Sequence, residues 1–140
     1  MTNDNFLKWR KEYTVGIFQI DKQHKEIIAL INGLSRLCVI DDEQSYGTFK
    51  LMLLSVMEYF GDHFWHEEKH MLEKKYPEYL LHKEEHRQML QVIREMAQKI
   101  GIDKRITIKS IVEYLNKWYT SHMLGYDREM GEYFIKRREK

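Results

Sequence analysis

Seven residues of this 140-residue chain could bind metal: five histidines and two carboxylates whose spacing places them on the apolar faces of predicted helices. They are His24, His63, Glu67, His82, His86, His122 and Asp127. Burying so many imidazoles and carboxylates without partners would cost on the order of several kcal/mol per group. A metal cluster that takes up their lone pairs is the simplest explanation, so the pattern predicts a buried metal site.

Two pairs of these residues are spaced as metal ligands on a helix would be. Side chains at positions i and i+4 point the same way, about 6 Å apart along the axis at a rise of about 1.5 Å per residue. That spacing suits His82 and His86 as two ligands of one metal ion. It also suits His63 and Glu67 as one terminal and one bridging ligand.

A third pair, His122 and Asp127, is five positions apart, which in a regular helix turns the two side chains about 140° from each other. Gly125 lies between them, and we expect it to end or distort the helix so that both face inward. The whole donor set exceeds what one tetrahedral or octahedral ion takes from protein, so two metals bridged by carboxylates fit the count. Nitrogen and oxygen donors without sulfur suit iron, manganese, copper or zinc.

Apolar residues recur in steps of three and four along most of the chain, which predicts helices joined by short loops. Asp21 is expected to cap the first helix, which runs to about Val39, and the last turn of the second lies before Pro77. The further expected ranges are about 79–100, 108–122 and, for a short last helix, 127–137. Short loops favour an all-α, up-down-up-down four-helix bundle, in which the ligand-bearing ends of the helices all meet at one end.

The domain expected from these elements spans residues 1–140, with an N-terminal arm of about 1–20 and the bundle at about 21–125. The arm carries four aromatic residues and is expected to pack across the bundle; they are Phe6, Trp9, Tyr13 and Phe18. Apolar positions expected to face the core include Cys38 and Met52.

Composition excludes several classes of function. The net charge of +1 and the isoelectric point near 7.8 argue against a nucleic-acid or anionic-membrane partner. Cys38 is the only cysteine, so an internal disulfide and a thiolate-rich metal site are excluded, and a reducing, cytoplasmic location is expected. The start lacks the apolar region of a signal peptide, and the longest apolar stretch is broken at Ser55, so neither secretion nor membrane spanning is expected.

The order of the candidate ligands resembles the hemerythrin family: His24, then HFWHE (63–67), HKEEH (82–86) and HMLGYD (122–127). The fragments VGIFQIDKQHKEI, YFGDHFWHEEKHM and YPEYLLHKEEH are similar to its single-domain bacterial branch, bacteriohemerythrin. The resemblance covers nearly the whole chain, and all seven ligand positions carry the residue type that the family uses.

This resemblance implies a non-heme di-iron centre with a bridging oxo or hydroxo group. One iron would be held by His82, His86 and His122, the other by His24 and His63, and both would be bridged by Glu67 and Asp127. The two-histidine iron would keep an open position, where dioxygen binds reversibly as hydroperoxide. The implied function is therefore oxygen carriage, storage or delivery by a binding protein that is not an enzyme.

An apolar wall around the oxygen site would keep protons out, and proton entry promotes loss of peroxide and irreversible oxidation. Ile27, Trp118 and Leu124 are the candidates for this wall because they lie close in sequence to His24 and His122. Ordinary core packing is an equally good alternative for Ile27 and a weaker one for Leu124.

Three other functions remain open on the same scaffold. An enzyme reducing nitric oxide or peroxide would need a reductase as partner, a sensor would need an output surface, and a structural bundle could hold zinc. His66 and His70 also form an HxxxH pair, but we expect them to flank the site. Glu68, Glu84 and Glu85 are expected to be solvated or to fix the tautomer of a ligand histidine.

Overall fold

The computed structural model describes residues 7–39 and 43–138, and this part of the chain is all helical. Four long helices form the bundle: α1 (Phe18–Arg36), α2 (Glu43–Glu73), α3 (Tyr79–Gln98) and α4 (Ile108–His122). α1 and α3 each pack against α2 and α4. A π-helical turn (Met123–Asp127) leads into a short last helix, α5 (Arg128–Arg138). The expected four-helix bundle with a short C-terminal helix is confirmed. No helix in the described ranges is long and apolar enough to cross a membrane.

The first helix begins three residues earlier than expected, at Phe18, so Asp21 is not its cap. The Asp21 carboxylate instead accepts hydrogen bonds from the backbone N–H groups of Val15 (2.8 Å) and Gly16 (3.3 Å). Both donors belong to the segment that precedes the helix. Asp21 therefore ties the N-terminal arm to the first turn of α1.

The N-terminal arm packs on the bundle, but its aromatic residues do not all do so. Tyr13 is buried in the main core, and Trp9 packs against that core. Asn32 holds the start of the arm, because its side chain both donates to and accepts from the backbone of Leu7, each at 2.9 Å. Phe18 is 83% exposed, so it takes no part in this packing. Phe6 lies outside the described residues.

The main core is made of the apolar faces of the four long helices and confirms most of the helical pattern. Its fully buried members include Ile27, Leu34, Phe49, Phe60, Met89, Ile93, Ile111 and Leu115. Two expected members differ: Met52 is 38% exposed, and Cys38 is only half-buried. Met52 follows the same periodicity as Leu53, and helical spacing alone does not show which of two adjacent residues faces the partner helix.

The connection between α4 and α5 confirms the expected distortion of the helix near Gly125. The helix neither ends nor breaks at Gly125; it continues through one π turn, in which each N–H bonds to the carbonyl five residues earlier. Residues five positions apart in such a turn lie on the same face. His122 and Asp127 therefore both point into the bundle, through a wider turn rather than through a break.

α5 crosses the N-terminal arm at Gly131. A Cβ atom there would lie 2.6 Å from the carbonyl oxygen and 2.7 Å from the Cα atom of Val15. Both atoms belong to backbone, which cannot move aside as a flexible side chain can. Glycine at this position therefore permits the close approach of the arm to α5, next to a small second core that contains Val15, Met130 and Phe134.

Replacing Gly131 with alanine is expected to lower the free energy of unfolding by about 1–3 kcal/mol, the cost of overpacking. Gly47 in α2 is the matched control, because a Cβ atom there would meet nothing within 4 Å. Gly47→Ala should stabilise the protein by roughly 0.5–1 kcal/mol through helix propensity alone. Urea denaturation measures both changes, and a Gly131→Ala protein as stable as the control would show that the arm does not pack as described.

Candidate metal centre

The structure brings all seven candidate ligands together at one end of the bundle. His24 lies early in α1, His63 and Glu67 late in α2, His82 and His86 early in α3, and His122 and Asp127 at the two ends of the π turn. Each of the seven is at most 1% exposed. Antiparallel helices place the start of α1 and α3 beside the end of α2 and α4, so four separate apolar faces supply one site.

Three histidines form the larger group of ligands. The Nε2 atom of His122 lies 3.2 Å from that of His82 and 3.1 Å from that of His86. Asp127 Oδ1 lies 3.0 Å from the Nε2 atoms of both His82 and His122. Glu67 Oε1 lies 3.2 Å from His86 Nε2. Two ligands bound at right angles, each about 2.1 Å from one metal ion, are about 3 Å apart, so these atoms have the spacing of one coordination sphere.

The other two histidines form the smaller group. Glu67 Oε2 lies 2.9 Å from His24 Nε2 and 3.2 Å from His63 Nε2. Asp127 Oδ2 lies 3.3 Å from His24 Nε2. Each carboxylate thus directs one oxygen to the three-histidine group and the other to the two-histidine group. That is the arrangement of two carboxylates that bridge a pair of metal ions.

The chemistry of these donors fits metal ions better than it fits hydrogen bonding. The Nε2 atom of His122 lies within 3.2 Å of those of both His82 and His86, and because a neutral imidazole has one N–H, a single hydrogen on His122 Nε2 cannot bond to both. Among the described residues, His63 Nε2, Glu67 Oε1 and Asp127 Oδ2 are buried without a hydrogen-bond partner. Cations between the two groups would satisfy all of these atoms.

A family model described as the hemerythrin HHE cation binding domain matches residues 15–134. That range contains every candidate ligand. The chain belongs to the hemerythrin family. Hemerythrins hold a non-heme di-iron centre, and the two groups of nitrogen and oxygen donors fit such a centre.

The chain is similar to three proteins named bacteriohemerythrin. It is 25% identical to that of Clostridium acetobutylicum over 86% of this chain and 95% of the relative. It is 27% identical to that of Stenotrophomonas maltophilia over 90% of this chain and 80% of the relative. It is 23% identical to that of Methylococcus capsulatus over 86% of this chain and 89% of the relative. The similarity therefore extends over most of each protein, as expected for a single-domain hemerythrin.

Two ligand histidines of this hemerythrin are held by polar residues behind them. His86 Nδ1 lies 2.9 Å from Glu68 Oε2, and His63 Nδ1 lies 2.8 Å from Gln23 Oε1. In each case the Nδ1–H donates outward, which leaves the Nε2 lone pair directed at the site. Sequence reasoning named Glu68 as one such candidate and missed Gln23, although Gln23 directly precedes His24.

The two supporting residues differ in charge, so the two histidines differ as ligands. Glu68 is a carboxylate and makes His86 a stronger electron donor, whereas the Gln23 amide acts on His63 without a full charge. Glu84, a second candidate for this role, pairs with Arg87 on the exposed side of α3. The Nδ1 atoms of His24 and His122 have no hydrogen-bond partner within the described ranges.

Without metal, the buried ligands compete for protons. Burial alone would lower the pKa of His86, but the Glu67 carboxylate 3.2 Å away and the hydrogen bond to Glu68 raise it to about 9. Burial lowers the pKa of His122 to about 4, against the opposing charge of Asp127. Burial disfavours ionisation of Glu67, yet the charge of His63 and a hydrogen bond from His24 hold the pKa of Glu67 well below its usual range. The site therefore retains carboxylate charge, which a cation needs.

His66 and His70 lie outside both groups of ligands. His66 is half-buried on α2 and its Nδ1 atom lies 2.8 Å from the carbonyl oxygen of Asp62, one turn earlier. His70 is also half-buried, one turn beyond His66 and on the same flank of the helix. Their HxxxH spacing matches that of His82 and His86, but the helix turns this pair away from the bundle axis.

Aromatic rings cover the histidine groups. Phe64 stacks on His86 with ring centroids 3.8 Å apart, and Trp118 stacks on His122 at 4.4 Å. Of the other expected wall residues, Ile27 is fully buried in the main core, and Leu124 is half-buried against it. Sequence reasoning missed Phe64 as a cover residue, although its position beside His63 was available as a signal.

Proposed function

We propose that the chain binds dioxygen reversibly at a di-iron centre. His82, His86 and His122 would hold one iron, His24 and His63 would hold the other, and Glu67 and Asp127 would be shared between them. The observation that carries this proposal is the division of the carboxylate oxygens: Glu67 Oε1 and Oε2 approach different histidine groups at 3.2 Å and 2.9 Å. One ion would have three histidine ligands and the other only two. The two-histidine ion would therefore have one coordination position free of protein ligands.

When bound, a reduced di-iron centre supplies one electron from each iron to dioxygen and takes both back on release. The protein's part is to hold the ligands in place and to keep water away. Phe64 and Trp118 stack on His86 and His122, and every ligand is at most 1% exposed. Restricted proton access favours release of oxygen over irreversible oxidation of the centre.

The donor set also favours binding over catalysis. Five of the seven donors are neutral imidazoles, which supply less negative charge than the carboxylates of ferritin-like di-iron proteins. The high-valent states that oxidise substrates are therefore harder to reach. Ile27, Trp118 and Leu124 remain candidates for the wall of the oxygen pocket, and of these Trp118 has a direct ring contact with a ligand histidine.

Anaerobic reduction followed by oxygen titration tests the proposal. We expect about two irons per chain and a visible charge-transfer band that appears with oxygen and disappears when oxygen is withdrawn, since the bound and free forms differ in iron oxidation state. Absorbance and an iron assay measure both. A colourless zinc protein, or irreversible bleaching on first contact with oxygen, would contradict reversible binding.

The same preparation distinguishes a carrier from an enzyme. Nitric oxide or hydrogen peroxide is added to the reduced protein together with an artificial electron donor. A carrier should complete at most about one turnover per di-iron centre, two nitric oxide molecules or one peroxide, because restricted proton access prevents turnover even when electrons are supplied. Sustained consumption over many equivalents would favour the enzymatic alternative.

A further inference from the structure

Tyr119 is a buried polar residue that the proposed ligand set does not use. It lies on α4 one turn before His122 and is fully buried. Its ring packs edge-on against His24, with centroids 5.9 Å apart at 89°, and edge-on against Phe60 at 5.6 Å. Tyr119 thus borders the two-histidine side of the metal centre.

The hydroxyl group of Tyr119 has no hydrogen-bond partner in the described part of the chain. A buried hydroxyl normally has one, because leaving it unpaired forfeits the hydrogen bonds it made to water. Phenylalanine would fill the same space without that cost. The hydroxyl therefore calls for a partner that residues 7–39 and 43–138 do not supply.

The surroundings of Tyr119 favour the protonated form of its hydroxyl. Burial, and then the negative charges of Asp127 and Glu67, raise the pKa of Tyr119 well above its usual range. A phenol ordinarily ionises only at about pH 10, so the Tyr119 hydroxyl is a neutral O–H donor at physiological pH.

We propose that the Tyr119 hydroxyl donates a hydrogen bond to the small ligand that binds at the open position of the two-histidine metal ion. This inference rests on the proposed function and adds a determinant of ligand choice. A single buried donor favours ligands that carry negative charge, such as reduced dioxygen or a small anion, over neutral diatomic ligands. The edge-on contact with His24 places the Tyr119 ring on the side where a ligand is missing.

Azide binding to the oxidised, iron-loaded protein tests the proposal. Tyr119→Phe removes only the hydroxyl and should weaken azide binding about tenfold, the effect of losing one hydrogen bond to a charged acceptor. Tyr114→Phe is the matched control, because Tyr114 is a half-buried tyrosine on the same helix, about two turns before His122. Its azide affinity should equal that of the wild type.

Replacement of Tyr119 by 3-fluorotyrosine provides a test in the opposite direction. Fluorine makes the hydroxyl a stronger donor while the ring and the hydroxyl remain, so azide should bind more tightly than to the wild type. A merely structural tyrosine predicts no increase. This variant also decides the question if Tyr119→Phe fails to load iron.

The outcomes separate this inference from the proposed function. Equal azide affinities at equal iron content in the wild type, Tyr119→Phe and the fluorinated protein would overturn the role of Tyr119 alone. Loss of reversible oxygen binding in a wild type that keeps the azide contrast would contradict the proposed function alone. A wild type that loads no iron would overturn both.

Discussion

Replacing Glu67 with glutamine should weaken iron binding by at least about a hundredfold, so that the purified protein retains little iron. Glu67 approaches His24 and His63 with one oxygen and His86 with the other, all within 3.2 Å. An amide keeps the shape but loses the charge and one of the two oxygen donors. Mutation of a residue that only supports a ligand lowers metal affinity about ten- to a hundredfold. Loss of a bridging ligand should lower it further.

Two glutamates on the same helix provide graded controls for this prediction. Glu68 bonds to the outer nitrogen of His86 at 2.9 Å, so Glu68→Gln should weaken iron binding about tenfold. Glu73 is exposed at the end of α2, and Glu73→Gln should leave iron binding unchanged. Iron per chain after gel filtration measures the series, and equal retention in all three variants would show that Glu67 is not a bridge.

Removal of iron is expected to lower the melting temperature by more than about 10 °C. A ligand present at about a thousand times its dissociation constant contributes about 4 kcal/mol, and each kcal/mol shifts the melting temperature of a chain of this size by roughly 3 °C. The buried imidazoles and carboxylates also lose their partners when the metal leaves. Calorimetry of the iron-loaded and iron-free proteins measures the shift.

Hydrogen exchange should locate this loss of stability. The ligand end of the bundle should lose protection in the iron-free protein, whereas the opposite end, around Phe49 and Ile100, should change little because its core contains no ligands. Uniform loss of protection, or none, would show that the seven residues are not held by metal.

The stability of the iron-free protein should pass through a maximum near neutral pH. The pKa of His122 is lowered to about 4 in the folded state, so its contribution is present above about pH 6.5 and is lost as the pH falls toward 4. The pKa of His86 is raised to about 9, so its contribution is present below about pH 6.5 and is lost as the pH rises toward 9. The lowered pKa of Glu67 adds to the loss at the acid end.

Melting temperatures of the iron-free protein, measured at intervals of about one pH unit from pH 4 to 10, would show this maximum. The iron-loaded protein is the control, because bound metal has already displaced the protons of its ligands and should flatten the profile between about pH 6 and 9. A stability that rises steadily through pH 9 without iron would contradict the assigned role of His86.

The helices and the convergence of the ligands follow from features that a sequence carries. The spacing of His82 and His86 fixes their common face, and the short loops fix which helix ends meet. These are one-dimensional properties, so periodicity suffices to predict them. The first turn of α1 is an exception, because Asp21 is a good cap by type but is bonded to the arm instead.

Contacts between side chains of different helices could not be predicted from the sequence. Gln23 supports a histidine of α2 rather than its neighbour on α1, and Tyr119 faces His24 across the bundle. Both depend on the rotation of one helix against another, which apolar spacing fixes only to within about one residue. The exposure of Phe18 and Met52 has the same origin.

The π turn at Met123–Asp127 makes the chain tolerant of shortening and intolerant of lengthening at that point. It holds one residue more than an α-helical turn, so a deletion would restore a regular helix and leave the register of α5 nearly unchanged. An insertion would rotate α5 by about 100° and turn Asp127, Met130 and Phe134 away from the bundle together. Related chains should therefore accept a one-residue deletion in this ligand-positioning segment but not an insertion.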